Sequence, residues 1–136
     1  MIFMIHLILW VHVSAAIGGF ILSGIIAFWL LRQPDVTNLP HHFWQWQRTV
    51  QWITVVLGAA GTALYLLGKR PLDPLHLLYG GLALLATLLL AGFGPGRDPR
   101  EVLQGWQINP KWILFGLNVF LWAMYGRGLT TGFFGF

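Results

Sequence analysis

Apolar residues run along this chain in long blocks, broken at intervals by prolines and a few charges. The first block, residues 2–31, carries no Asp, Glu, Lys or Arg, and neither does the block 74–93. A run of about 20 apolar residues crosses a hydrocarbon core of roughly 30 Å. The pattern predicts four such helices, within residues 2–31, 43–68, 74–93 and 110–126. The joining segments are short and leave no room for a folded soluble module. The expected fold is therefore all-α: one transmembrane domain over residues 1–136, an integral membrane four-helix up-down bundle.

Helix starts are marked by capping residues before proline. Asp73–Pro74, Asp98–Pro99 and Asn109–Pro110 each place an N-cap side chain before a proline at the first helical position. After Asp98 come Glu101 and then Gly105, which predicts a short interfacial helix over 99–104, between the third and fourth spans. Residues 32–40, RQPDVTNLP, read as a loop. The first block lacks a positive leader and runs past the small residues Val13–Ser14–Ala15–Ala16 to Leu31, so a retained membrane helix is expected, not a cleaved signal.

Composition agrees with lipid as the main solvent: 57% of residues are hydrophobic, 9% are charged, and the mean hydropathy is +0.69. Cysteine is absent, which excludes disulfides, thiolate metal sites and cysteine nucleophiles. The carboxylates are Asp35, Asp73, Asp98 and Glu101, and none falls inside a predicted span. Acid–base hydrolysis and proton-coupled transport are disfavoured accordingly. No basic patch with interleaved aromatics lies outside the membrane belt, so nucleic acid is not an expected partner. The eight tryptophans fall mostly near span ends, as interfacial anchors do. Arg32, Arg48, Arg97, Arg100 and Lys111 fall on one side and Lys69, Arg70 and Arg127 on the other. The positive-inside rule then predicts a multi-pass protein of the cell (inner) membrane with both termini on the outer side.

Histidines are the remaining chemistry. In an up-down bundle the first and third spans start on the same side, which puts His76 level with the start of the first span, where His6 and His12 lie. Counting back 20 residues from Leu31, beside the Arg32 anchor, lands on His12. Small residues follow both candidates at helical spacing. Ala15, Ala16, Gly19 and Ser23 lie below His12, and Gly80, Ala83 and Thr87 below His76. Leu9 and Trp10 follow His6 instead, leaving it an alternative ligand only. Two histidines over a slot lined by Ala16, Gly19, Gly80 and Ala83 are the requirement of a bis-imidazole haem b. Lys69, Arg70 and Arg127 are candidates to meet its propionates. On the second span Gln47 and Gln51 begin a mildly polar stripe that suggests a quinone site near the opposite face. His41 and His42 are adjacent and point to different faces, which argues against one shared ion.

The stretches HVSAAIGGFILSG (12–24) and LHLLYGG (75–81) resemble small four-helix membrane proteins that carry a histidine early in the first helix, then a Gly-Gly step. Copper-resistance-D-like proteins and small b-type membrane cytochromes belong to that group. The resemblance implies a four-helix membrane fold that handles haem or copper. The function expected from residues and resemblance together is a cytochrome-b-like, non-catalytic electron-transfer subunit. It would carry one haem b within a larger respiratory or photosynthetic complex, with other membrane subunits and lipid as partners. The alternatives are a cofactor-free accessory subunit and a copper-handling protein using Met1, Met4 and His6.

Overall fold

The computed structural model describes residues 2–34, 39–95, 101, 103–106 and 108–134. Within these the chain forms four helices and no strand: α1 (Ile2–Arg32), α2 (His41–Leu66), α3 (Leu75–Ala91) and α4 (Pro110–Phe133). The capping residues act as their chemistry requires. Asn109 Oδ1 accepts from Lys111 N–H at 2.9 Å with Pro110 opening α4, and Asp73 Oδ1 accepts from Leu75 N–H at 2.9 Å. At the end of α2, Lys69 N–H reaches Leu64 O at 2.9 Å and Gly68 N–H reaches Tyr65 O at 3.1 Å. This is a Schellman closure, and it needs the left-handed φ of +82° that Gly68 supplies. The turn aims Lys69 and Arg70 back over the bundle end.

Helix limits shift in both directions from the expectation. α4 continues past residue 126 to Phe133, and Phe134 N–H closes its last turn on Thr130 O at 2.8 Å. α3 stops at Ala91, two residues short. Half of the interfacial helix expected over 99–104 lies outside the described residues, as do Met1, Asp35, Arg97 and Asp98–Pro99–Arg100. What is described there is turn-like: Gln104 N–H bonds Glu101 O at 3.4 Å and Trp106 N–H bonds Leu103 O at 2.9 Å.

α1 packs on α2 and α4, α3 packs on α4, and the α2–α3 seam is looser. The helices thus form a ring in chain order, with α1 and α3 facing each other across it. The core is unusual in polarity. Ser23, Gln47, Thr54, Thr87, Asn118 and Thr131 are buried, while Ile21, Phe28, Trp52, Leu85, Leu88 and Leu89 stand exposed. A water-facing surface is seldom apolar over so broad a belt. Two helices, α1 and α2, are long and apolar enough to cross a membrane, and α3 is a shorter apolar helix. Lys111, at the start of α4, closes the far end by donating to Leu31 O and Gln33 O past the C-terminus of α1.

Candidate functional site

At the end of the bundle opposite Lys111 lies a cavity of about 650 Å³. All four helices line it, together with Lys69, Arg70, Pro71 and Leu72 of the α2–α3 turn. His12 enters from α1 and His76 from α3, and their rings face each other at 5.9 Å between centroids, tilted by 51°. Both are half-buried.

Each ring is held by its Nδ1. His12 Nδ1 lies 3.1 Å from the main-chain oxygen of Leu57 on α2. A carbonyl oxygen can only accept, so that nitrogen carries the proton. His76 Nδ1 lies 3.2 Å from Thr131 Oγ1 on α4. The Thr131 hydroxyl donates its hydrogen to Arg127 O at 2.7 Å, so towards His76 its oxygen accepts. Both neutral imidazoles are therefore Nδ1–H tautomers, and each leaves Nε2 with a free lone pair. Small residues make room for the rings. A Cβ on Gly61 of α2 would stand 3.0 Å from His12 Cε1, and one on Gly132 of α4 would stand 3.2 Å from His76 Cε1.

The walls are largely apolar, with Leu9, Val13, Leu84, Met124 and Leu129 among them. Tyr125 lies at the cavity's inner limit, its hydroxyl 2.7 Å from Thr54 Oγ1. Thr54 gives its own hydrogen to Val50 O at 2.8 Å, so Tyr125 is the donor of that pair. The rim is cationic. Arg70 donates to Tyr65 O at 3.1 Å and lies over the Tyr65 ring, 3.5 Å from its centroid.

Of the residues singled out by sequence, His12, His76, Ala16, Gly80, Ala83, Lys69 and Arg70 all line this cavity. Gly80 opens onto it, since a Cβ there would meet nothing within 4 Å. Gly19 does not line it: the Tyr125 ring covers that glycine so closely that a Cβ would come within 2.2 Å of it. Arg127 does not line it, though its guanidinium lies 5.3 Å from the ring centroid of Tyr79, which does. His6 is exposed and bonds Ile2 O of its own helix at 3.0 Å. Gln47 is buried far from the cavity, accepting from Asn118 at 3.0 Å, and Gln51 does not line the cavity either. Sequence reasoning missed Leu57, Gly61, Thr131 and Gly132. The only available signal was the Thr-Thr-Gly step at 130–132, which repeats small and hydroxylic residues at the level of His76.

The described residues contain no group of three or more His, Cys, Asp or Glu side chains placed to hold a metal ion together. Two histidines alone fall short of the four ligands that a zinc or similar site draws mainly from the protein. The chain matches no protein-family model, no curated protein and no solved structure. Its likeness to small four-helix membrane proteins therefore rests on residues 12–24 and 75–81 alone.

Proposed function

We propose that this is a four-span membrane protein that holds one haem b between His12 and His76, near the outer face, and relays electrons within a larger membrane complex. The observation that carries this reading is the histidine pair, with both Nδ1–H groups engaged and both Nε2 lone pairs free, set over a cavity of about 650 Å³. That volume falls inside the usual range for cofactor sites. Two metal–nitrogen bonds of about 2 Å, plus the distance from each nitrogen to its ring centre, require centroids roughly 6 Å apart. The observed 5.9 Å agrees. A macrocycle supplies the four equatorial nitrogens that the chain lacks, which favours haem over a bare copper or zinc ion.

The residues divide the work. His12 and His76 would hold the iron, and Leu57 O and Thr131 Oγ1 would orient their rings and raise their basicity. Lys69 and Arg70 offer positive charge at the rim for the anionic groups of such a cofactor. When bound, the haem would supply one-electron chemistry. The membrane setting is supported by the apolar exterior, the polar interior and the two helices of spanning length. The loop sequences, with five Lys and Arg against three, support the orientation with the Lys111 side in the cytoplasm.

The test is a reduced-minus-oxidised absorption spectrum of the purified protein, beside His12→Ala, His76→Ala and His6→Ala. A low-spin bis-imidazole signature is expected in the parent and in His6→Ala, and its loss in each of the other two. A parent without haem, or a signature that survives His12→Ala, would sink the reading.

A further inference from the structure

Far below the cavity the bundle contains a second polar feature. α1 and α3 run in the same direction from the facing histidines, and eleven residues on in each helix lie Ser23 and Thr87. Ten residues back from Leu57, which holds His12, lies Gln47; thirteen back from Thr131, which holds His76, lies Asn118. At 1.5 Å per residue all four sit roughly 15–20 Å beneath the histidines, within about one turn of each other. Each helix therefore contributes one polar side chain to a single layer, and all four are at least nine-tenths buried.

The layer is incompletely satisfied. Asn118 Nδ2 donates both to Leu114 O at 2.9 Å and to Gln47 Oε1 at 3.0 Å. The Leu114 carbonyl fixes which end of the Asn118 amide is the donor, and that in turn fixes the Gln47 amide. Gln47 Nε2, Asn118 Oδ1 and Thr87 Oγ1 are left without a partner. Ser23 and Thr54 each return the hydroxyl hydrogen to their own helix, at Gly19 O and Val50 O, but Thr87 does not. One donor, one acceptor and one hydroxyl thus stand unused in one buried layer. Ile26, Leu30, Phe43, Leu90 and Leu114 seal it on the Lys111 side, and Val50, Ala86 and Leu121 separate it from the cavity.

We propose that this layer binds ordered water bridging Gln47 Nε2, Asn118 Oδ1 and Thr87 Oγ1. Water is the ligand that fits, because it donates and accepts at once and buried polar groups left unpaired by protein normally share one. No charged side chain lies in the layer, and the free amide donor of Gln47 is repulsive to a cation. The site is a closed one, cut off from both aqueous phases by the apolar layers on either side.

The experiment is infrared spectroscopy of the purified full chain in ordinary and in heavy-oxygen water. A trapped bridging water gives a hydrogen-bonded O–H stretch that moves with the isotope after prolonged equilibration. That band is expected in the parent and in Thr49→Val, whose exposed hydroxyl bonds its own helix, and lost in Thr87→Val and Asn118→Leu. Thr87→Val keeps the shape of the side chain, so it carries the test if Asn118→Leu does not fold. No isotope-sensitive band in the parent, or one that survives Thr87→Val, would overturn the proposal. None of these readouts depends on haem.

Discussion

Thr131 does more than a residue of its size usually does in a helix. Its hydroxyl accepts from His76 and donates to Arg127 O, linking a ring on α3 to the backbone of α4. In Thr131→Val the ring loses its acceptor, and an unpaired N–H at a partly buried site costs about 1–3 kcal/mol. Loss of such an orienting partner typically weakens metal affinity about 10–100-fold. Haem titration of the apo-protein is expected to show that weakening in Thr131→Val and near-parent affinity in Thr131→Ser. Equal affinity in all three would mean that the hydroxyl does not orient the ring. At this scale the sequence was half legible. Counting depth back from Arg32 selected His12 rather than His6, and it is the His12 ring that faces His76. The acceptors were hidden for a physical reason: a main-chain oxygen such as that of Leu57 has no side-chain signature. A threonine at helical spacing, for its part, normally bonds only its own helix.

Among the elements, α1 shows how far two neighbouring glycines can differ. A Cβ on Gly18 would meet nothing within 4 Å, whereas one on Gly19 would strike the Tyr125 ring at 2.2–2.5 Å. Gly18→Ala is therefore expected to leave the melting temperature unchanged or raise it, since alanine favours the helix by up to about 1 kcal/mol. Gly19→Ala has to push the Tyr125 ring off α1 and strain its bond to Thr54, at about 1–3 kcal/mol. Thermal unfolding in detergent measures both, and a Gly19→Ala variant as stable as its neighbour would show that α1 and α4 can part without penalty. Gly19, read as slot lining, is thus a helix contact instead. The sequence reports small volume at both positions, but which neighbour fills that volume depends on the ring order of the helices. Capping was easier to read. The polar groups before Pro74 and Pro110 bond the first free N–H of their helices whatever surrounds them, so α3 and α4 begin close to where expected.

For the molecule as a whole, four helices in sequence order were visible from hydrophobic blocks, because apolar runs of helical length mark themselves along the chain. The supports on the other two helices were not, since nothing in those blocks marks Leu57 of α2 or Thr131 of α4 as holding the facing rings. Charge at the rim gives the prediction that belongs to this scale. If Lys69 and Arg70 compensate propionates, removing both in Lys69→Gln/Arg70→Gln favours the more positive ferric iron, so the midpoint potential is expected to fall. Both side chains are exposed, so added salt should shrink the difference. A redox titration at low and high salt checks this, and an unchanged potential at low salt would place the propionates elsewhere. Chain order adds a consequence of the Thr131 contact. That residue stands in the last turns of α4, so during synthesis it leaves the ribosome after His12, Leu57 and His76. Until it docks, the His76 ring lacks that acceptor. On the haem reading, cofactor capture would wait for α4, and a chain cut before Thr131 would hold His76 without its orienting hydroxyl.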